Sequence, residues 1–344
     1  MGISGFLPLL KSIHESVHLS SFAGKTVAVD GNVWMHRGAF TCAVDLATNV
    51  STTKYVDYFM RQVEMLLCYK IIPLIVFDGE PLPIKACTND ERRRRREEAL
   101  EKGRLLMQQG NKKEAYEYFC KSVQVTRDMV KQVIAALEAR NIQNVVAPYE
   151  ADPQLAYLMK TKKADAVITE DSDLLVFGCD CVIFKLNKYG EGVQIRLSNL
   201  NRLKEMKLGD WDATKIRHMC ILSGCDYLPS LPGVGLKTAY QLLKTYKSAD
   251  QVIKVLRSQG KMKKIPHYQE AFHRADQAFM YPFVFDLDLQ QVVRLNPLES
   301  KDITLDFLGA HPSNVKLPTS TPPLPCNDVS DANKENIPVS FLIN

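Results

Sequence analysis

The chain has no Cys-x-x-Cys pair and no paired Cys/His ligand spacing, although 9 cysteines and 7 histidines occur among its 344 residues. That argues against a zinc module; Cys179 and Cys181, alternate residues of one strand, make a poor zinc pair. No signal-peptide pattern precedes the cysteines, so reduced thiols are expected rather than disulfides. Apolar runs are no longer than a strand, which argues against a membrane-spanning helix and a membrane partner. At the start Met1-Gly2-Ile-Ser-Gly-Phe6, Phe6 stands where myristoylation wants Ser or Thr, and a buried N-terminus is expected instead. Charge of one sign is scarce too: 44 Lys and Arg against 39 Asp and Glu give +5, a mild preference for a polyanion.

What is present is a set of five short acidic stretches: Val29-Asp30-Gly31, Phe77-Asp78-Gly79, Glu150-Ala-Asp152, Glu170-Asp171-Ser-Asp173 and Gly224-Cys-Asp226. Asp30, Asp78 and Asp171 each follow an apolar β-type run (25–29, 73–77 and 166–169), at the strand ends where open α/β sheets bind ligands. Taken singly, these acids have plainer readings. Glu150 and Asp152 open a helix and could serve as caps, and Asp171 and Asp173 could be turn residues. Together, seven carboxylates at one edge repel one another unless cations intervene. Oxygen-only ligands suit magnesium or manganese. Two such ions about 4 Å apart would activate water and stabilise a leaving oxygen. The residues read as a metal-dependent phosphodiester hydrolase.

Strands at 25–30, 72–77, 144–147 and 165–169 alternate with helical stretches at 53–69, 126–140 and 150–162. The pattern predicts an α/β fold: a central, mostly parallel sheet with helices on both faces. Segments 182–186 and 193–197 flank a turn and read as a hairpin on the sheet edge. A charged, helix-forming insertion spans 81–125. From 214 to about 281 the pattern is helical, broken by a Gly/Pro-rich turn at 223–235. Beyond 313 the composition is that of a disordered tail.

Lys85 and Arg92 lie seven residues apart in the insertion and share a face if it is helical, placed to grip a scissile phosphate. Arg92–Arg96 cannot all share that face. Arg93–Arg96 are expected in solvent, weakly paired to Glu97 and Glu98; a nuclear-import reading of the run stands beside that one. Gly233-Val-Gly235 before a helix, with Lys237 and Lys244 after it, would offer backbone N–H groups to a duplex phosphate without reading bases. Trp34 reads as core, and His36 as a candidate for touching a base.

Met1-Gly-Ile-x-Gly-Phe-Leu-Pro8, Ala147-Pro-Tyr-Glu-Ala-Asp-Pro-Gln-Leu-Ala-Tyr-Leu158, Thr169-Glu-Asp-Ser-Asp-Leu-Leu-Val-Phe-Gly178 and Cys220-Ile-Leu-Ser-Gly-Cys-Asp-Tyr227 resemble the structure-specific 5′ nucleases, in the form of the exonuclease 1 branch. The resemblance implies a PIN-like 5′ nuclease fold. Its parts would be an N-terminal nuclease region (1–99), a helical arch (81–125) and an internal nuclease region (126–230). A helix–two-turn–helix element (213–245), C-terminal helices on the core (246–312) and the tail (313–344) complete it. It implies two magnesium ions, replaceable by manganese, on Asp30, Asp78, Glu150, Asp152, Asp171, Asp173 and Asp226. Lys85, Arg92 and Asp173 would be catalytic, and His36, Lys85, Arg92, Gly233, Gly235 and Lys237 would touch DNA. Potassium would sit near Ser223, Ser230 and Val234.

The implied activity is a 5′→3′ exonuclease of double-stranded DNA that also cuts 5′ flaps. It would act on ends, nicks and gaps in mismatch repair, end resection and recombination, as a nuclear monomer with mismatch-repair partners. A replication flap endonuclease is the alternative, but no sliding-clamp peptide follows residue 285. A catalytically dead scaffold would lack a metal acid, and none is missing. A PIN-type ribonuclease would lack the potassium turn. Two departures stand out: Asn32 replaces an aromatic usual in the branch, and the tail is shorter than the branch's. Lys334-Glu335-Asn336 matches a triplet read by mitotic ubiquitin ligases, a match that chance also explains.

Overall fold

In the computed structural model, residues 2–262, 267–299 and 304–312 are described. The expected disordered tail and its Lys334-Glu335-Asn336 triplet lie outside them. The central sheet contains β1 (Glu15–His18), β2 (Thr26–Asp30), β3 (Ile72–Phe77), β4 (Gln143–Val146), β5 (Ala166–Ile168), β6 (Cys181–Phe184) and β7 (Glu191–Arg196). Their order is β1-β7-β6-β5-β2-β3-β4. Strands β2 to β6 run parallel, and β7 and β1 close one edge antiparallel.

The inner strands are apolar throughout because both faces are covered. In β2 and β3, Ala28, Leu74 and Val76 enter the core beneath helices Ala151–Lys160, Ala213–Ser223 and Leu236–Tyr246. Their neighbours Val27, Val29, Ile75 and Phe77 enter the opposite core, against helices Gly31–Thr41, Lys54–Cys68 and Arg127–Glu138. The α/β class with helices on both faces is thus the observed one. Trp34 is core, edge-on to Phe59 at 5.5 Å. Among the described residues no helix is long and apolar enough to cross a membrane.

The chain passes from β2 to β3 and β4 on one side, then crosses to β5 on the other. The order therefore reverses between β2 and β5, the topological switch where such sheets open a crevice. Asp30 ends β2, and Asp171 lies three residues beyond β5.

The insertion is helical, as expected. A 3-10 turn, Pro83–Lys85, leads into helix Ala86–Gln108, which packs against helix Lys112–Ser122. Gly103 permits that approach, since a Cβ there would stand 2.7 Å from the Phe119 ring.

Two elements depart from expectation. Strand β1 is mostly exposed and has no apolar alternation, so its conformation comes from pairing with β7 (Glu15↔Gln194) rather than from local pattern. The segment 246–312, expected as helices, contains helices Ala249–Ser258 and Tyr268–Met280 but then a hairpin, β8 (Phe283–Asp286) and β9 (Gln291–Arg294). Buried Gln154 explains the hairpin's seat: its amide donates to Phe285 O at 2.8 Å and accepts from Phe285 N at 2.6 Å. Asp286 shapes the turn by accepting from Asp288 N and Leu289 N, each at 2.8 Å.

Candidate active site

The acids gather at the carboxyl edge of the parallel strands. Asp30 Oδ2 accepts from Thr169 Oγ1 at 2.8 Å, across the switch between β2 and β5. Asp78 follows β3 and accepts from Ala151 N at 2.7 Å, which ties it to the helix carrying Asp152. Asp171 Oδ1 accepts from Asp173 N at 3.0 Å, and Asp173 Oδ1 accepts from Ile3 N at 3.0 Å. The start of the chain is packed into the cluster: Ile3 is buried, and a Cβ on Gly2 (φ +81°) would overlap the carboxylates of Asp171 and Asp173.

Lys85 and Arg92 share a face and converge on one carboxylate. Lys85, 8 % exposed, places Nζ 2.5 Å from Glu150 Oε1 and 3.2 Å from Asp226 Oδ2. Arg92 Nη2 donates to both Asp226 oxygens, at 2.8 and 2.9 Å. Glu150 stands at the N-cap of helix Ala151–Lys160, but its side chain caps nothing. It is held instead by Lys85 and by Tyr227 Oη, which donates at 2.8 Å. The capping explanation of Glu150 therefore fails.

Two cations face seven carboxylates, and the imbalance shows in the protonation equilibria. Burial, then Asp171, pushes Asp173 up to about 8. Burial, then Asp78, pushes Asp30 to about 7. Burial raises Asp152 and Asp171 as well, with Asp171 and Asp30 adding to the effect on Asp152. Burial of its carboxyl group raises Asp78 to about 6, although the residue as a whole is exposed. At Asp226 burial is outweighed by Lys85 and Arg92, and its pKa falls. Lys85 goes the other way: burial disfavours its charge, but Glu150 and Asp226 hold it cationic.

The expected acids are thus brought within electrostatic reach of one another. Among the described residues no three of them converge on one point as a bound cation would hold them. The Lys85 ammonium group itself stands between Glu150 and Asp226. The donor set itself, all oxygen and short of positive charge, fits hard divalent ions.

A pH dependence follows. An unfolded aspartate releases its proton near pH 4, whereas Asp30 and Asp173 hold theirs to about 7 and about 8 when folded. The folded state binds more protons in that window, so stability is greatest below it and is lost as pH rises through about 7 to 8. Metal-free protein should melt at lower temperature at about pH 8 than at about pH 5.5, and magnesium should raise melting more at the higher pH. A magnesium effect independent of pH would count against the cluster.

His36 is half-buried, and burial together with Arg96 lowers its imidazole pKa. Arg94 reaches Glu98 at 3.6 Å as expected, whereas Arg93 pairs with Asp90 at 3.0 Å instead of Glu97, and Arg95 pairs with Glu91. Arg96 departs from the expected solvated face: it is half-buried, with Nε lacking an acceptor.

The turn after helix Ala213–Ser223 begins at the cluster, since Thr88 Oγ1 donates to Asp226 O at 3.1 Å. Gly233, Gly235 and Lys237 are exposed, and Gly235 caps the second helix without a side chain, leaving its first N–H groups open. Ser223 donates to Cys220 O at 2.7 Å, and Gly224 (φ +101°) brings the chain against Ser230, whose N lies 2.9 Å from a Cβ built there. Val234 is buried further along. Three residues escaped the sequence reading. Tyr227 and Thr169 stood inside quoted motifs without chemistry assigned to them. Lys261 gave no signal, yet its Nζ lies 3.9 Å from the Cβ position of Gly233.

Residues 1–99 match the family described as the XPG N-terminal domain, and residues 141–226 match the XPG I-region. These two segments contain all seven acids, Lys85 and Arg92. Exonuclease 1 of Xenopus laevis is 45 % identical over 303 residues, covering 86 % of this chain and 41 % of the relative. The DNA damage-inducible protein DIN7 of Saccharomyces cerevisiae is 37 % identical over 297 residues, covering 86 % of this chain and 69 % of that protein. The chain belongs to the exonuclease 1 branch of the 5′ nuclease superfamily. The chain spans about 41 % of the length of the frog relative. Its fold is that of the catalytic core of Rad2 in complex with DNA substrate (TM-score 0.59, 22 % identity, covering 86 % of this chain and 91 % of that one).

Proposed function

We propose that the chain is a 5′→3′ exonuclease of double-stranded DNA that also cuts 5′ flaps, acting at ends, nicks and gaps in DNA repair. One observation carries this: at the parallel sheet edge the buried acids Asp30, Asp171 and Asp173 lie beside the half-buried Glu150 and Asp226, which pair with two cations delivered by the helical insertion. Relatives called exonuclease 1 and DNA damage-inducible protein, and a similar fold described with DNA substrate, support the choice of DNA and of repair. The same reading takes the protein as a nuclear monomer, with mismatch-repair proteins as partners; its relatives come from eukaryotes.

Asp30, Asp78, Glu150, Asp152, Asp171, Asp173 and Asp226 would hold two magnesium ions, with manganese as a substitute. When bound, those ions supply an activated water and charge stabilisation at the leaving oxygen. The chain's own residues do the rest. Lys85 stays charged at every working pH, so it serves as a phosphate-binding cation and never as a base. Arg92, half-exposed and bonded through Nη2 alone to both Asp226 oxygens, can exchange that carboxylate for a phosphate. Tyr227, whose hydroxyl burial and Glu150 keep protonated, fixes Glu150 as donor to its carboxylate. Potassium near Ser223, Ser230 and Val234 would order the turn, and Gly233, Gly235 and Lys237 would hold duplex backbone, with Lys261 beside them.

Digestion of 5′-labelled duplex, nicked, gapped and flap DNA in magnesium tests the reading. Release of short products from the 5′ end is expected; tight binding with no cutting under any divalent ion would make the chain a scaffold and overturn it. Arg92 and Lys237 should also separate. Arg92→Ala should slow single-turnover cleavage with a modest change in affinity, the pattern of an interaction made in the transition state. Lys237→Ala should weaken binding and reduce the salt slope by about one phosphate contact. The reverse pattern would mean that the insertion grips and the turn catalyses.

A further inference from the structure

Of the acids in the five stretches, Glu170 alone has no part in the proposed chemistry. It sits between Thr169 and Asp171, and both of those belong to the cluster: Thr169 Oγ1 donates to Asp30 Oδ2 at 2.8 Å and accepts from Asp171 N at 3.0 Å. The Glu170 carboxylate has different partners. Its Oε1 accepts from Arg37 Nη2 at 2.7 Å and from Lys185 N at 2.9 Å. A single oxygen thus gathers donors from helix Gly31–Thr41 and from the residue that follows β6.

Arg37 lies on the helix that begins directly after Asp30, and Asp30 Oδ1 caps that helix by accepting from Asn32 N at 3.1 Å. The Arg37–Glu170 pair therefore joins the helix of one acid to the loop that carries two others, Asp171 and Asp173, across the switch between β2 and β5. The bond from Thr169 to Asp30 is a second tie over the same gap. Lys185 has φ +54°, in the left-handed region that a residue with a side chain rarely adopts. Glu170 holds its N–H in that conformation.

The side chains of Arg37 and Glu170 are 35 % and 28 % exposed, so the pair contributes little to global stability. What matters is where it acts. Once Asp30, Asp171 and Asp173 ionise to take up cations, their repulsion drives the loop away from β2. The Glu170 tie opposes that movement without using a carboxylate of the cluster. Resting on the nuclease reading above, we propose that Glu170 and Arg37 are a positioning pair for the magnesium site. They touch neither ion nor DNA and act through Asp171 and Asp173, whose loop they fix against the helix of Asp30.

The test titrates the full chain, free of DNA, with magnesium and follows its melting temperature. Arg37→Leu and Glu170→Ala should each raise the magnesium concentration at the midpoint by about tenfold, the low end of the cost of losing a ligand's supporting bonds. The double variant should be no worse than Glu170→Ala alone, because the two residues act as one unit. Glu170→Gln, whose amide oxygen can still accept from both donors, should recover most of the wild-type midpoint. All of these positions are part-exposed, so the variants should fold. Variants that melt earlier yet keep the wild-type midpoint would make the pair merely structural and overturn the proposal. So would an Arg37→Leu variant that weakens DNA binding in calcium and takes about one contact off the salt slope while its magnesium midpoint stays put, since Arg37 would then be a phosphate ligand. A wild type whose melting ignores magnesium would remove the metal reading itself, and the proposal with it.

Discussion

Asp173→Ala should abolish cleavage in magnesium while DNA binding stays near normal. Asp173 is 3 % exposed, and burial, then the charge of the neighbouring Asp171 carboxylate, raises its pKa to about 8. Removing it takes away a negative charge, which cannot weaken attraction to phosphate. The fold should tolerate the loss, because Ile3 N keeps Ser172 Oγ as acceptor at 2.9 Å. What disappears is a ligand for the ions whose chemistry is worth several kcal/mol in the transition state. Single-turnover cleavage beside binding in calcium separates the two effects. Retention of more than about a tenth of the wild-type rate would remove Asp173 from the ligand set.

Lys85→Ala should be the most destabilising single change at the site. Lys85 is buried between the half-buried Glu150 and Asp226, and its loss leaves Glu150 without a cation and Asp226 with Arg92 alone. Breaking a buried pair by removing one partner costs about 3–5 kcal/mol. The loss should be largest near neutral pH and above, where the carboxylates are ionised, and magnesium should recover part of it by restoring positive charge. Denaturant unfolding with and without magnesium measures both. A cost below about 1 kcal/mol would mean that water screens the pair as at a surface.

The sheet was legible because its inner strands are apolar on both faces. β2 and β3 admit no other reading, and the antiparallel pair β6 and β7 showed itself through its turn. The acid set was legible for a related reason. Asp30, Asp78 and Asp171 each follow such a run, and parallel strands bring their ends to one edge. Strand β1 and the hairpin of β8 and β9 were not legible. The first depends on the ladder of β7, and the second on Gln154, a side chain 131 residues away from Phe285.

Sequence alone therefore determined the kind of chemistry. Oxygen donors at strand ends, with Lys85 and Arg92 two helical turns apart, point to the phosphate-handling metal site proposed above by residue type and spacing, which are local quantities. Tertiary structure decided the partners. Whether Glu150 caps a helix or faces Lys85, whether Arg96 meets solvent or His36, and how far burial raises Asp173 all depend on distances between segments far apart in the chain.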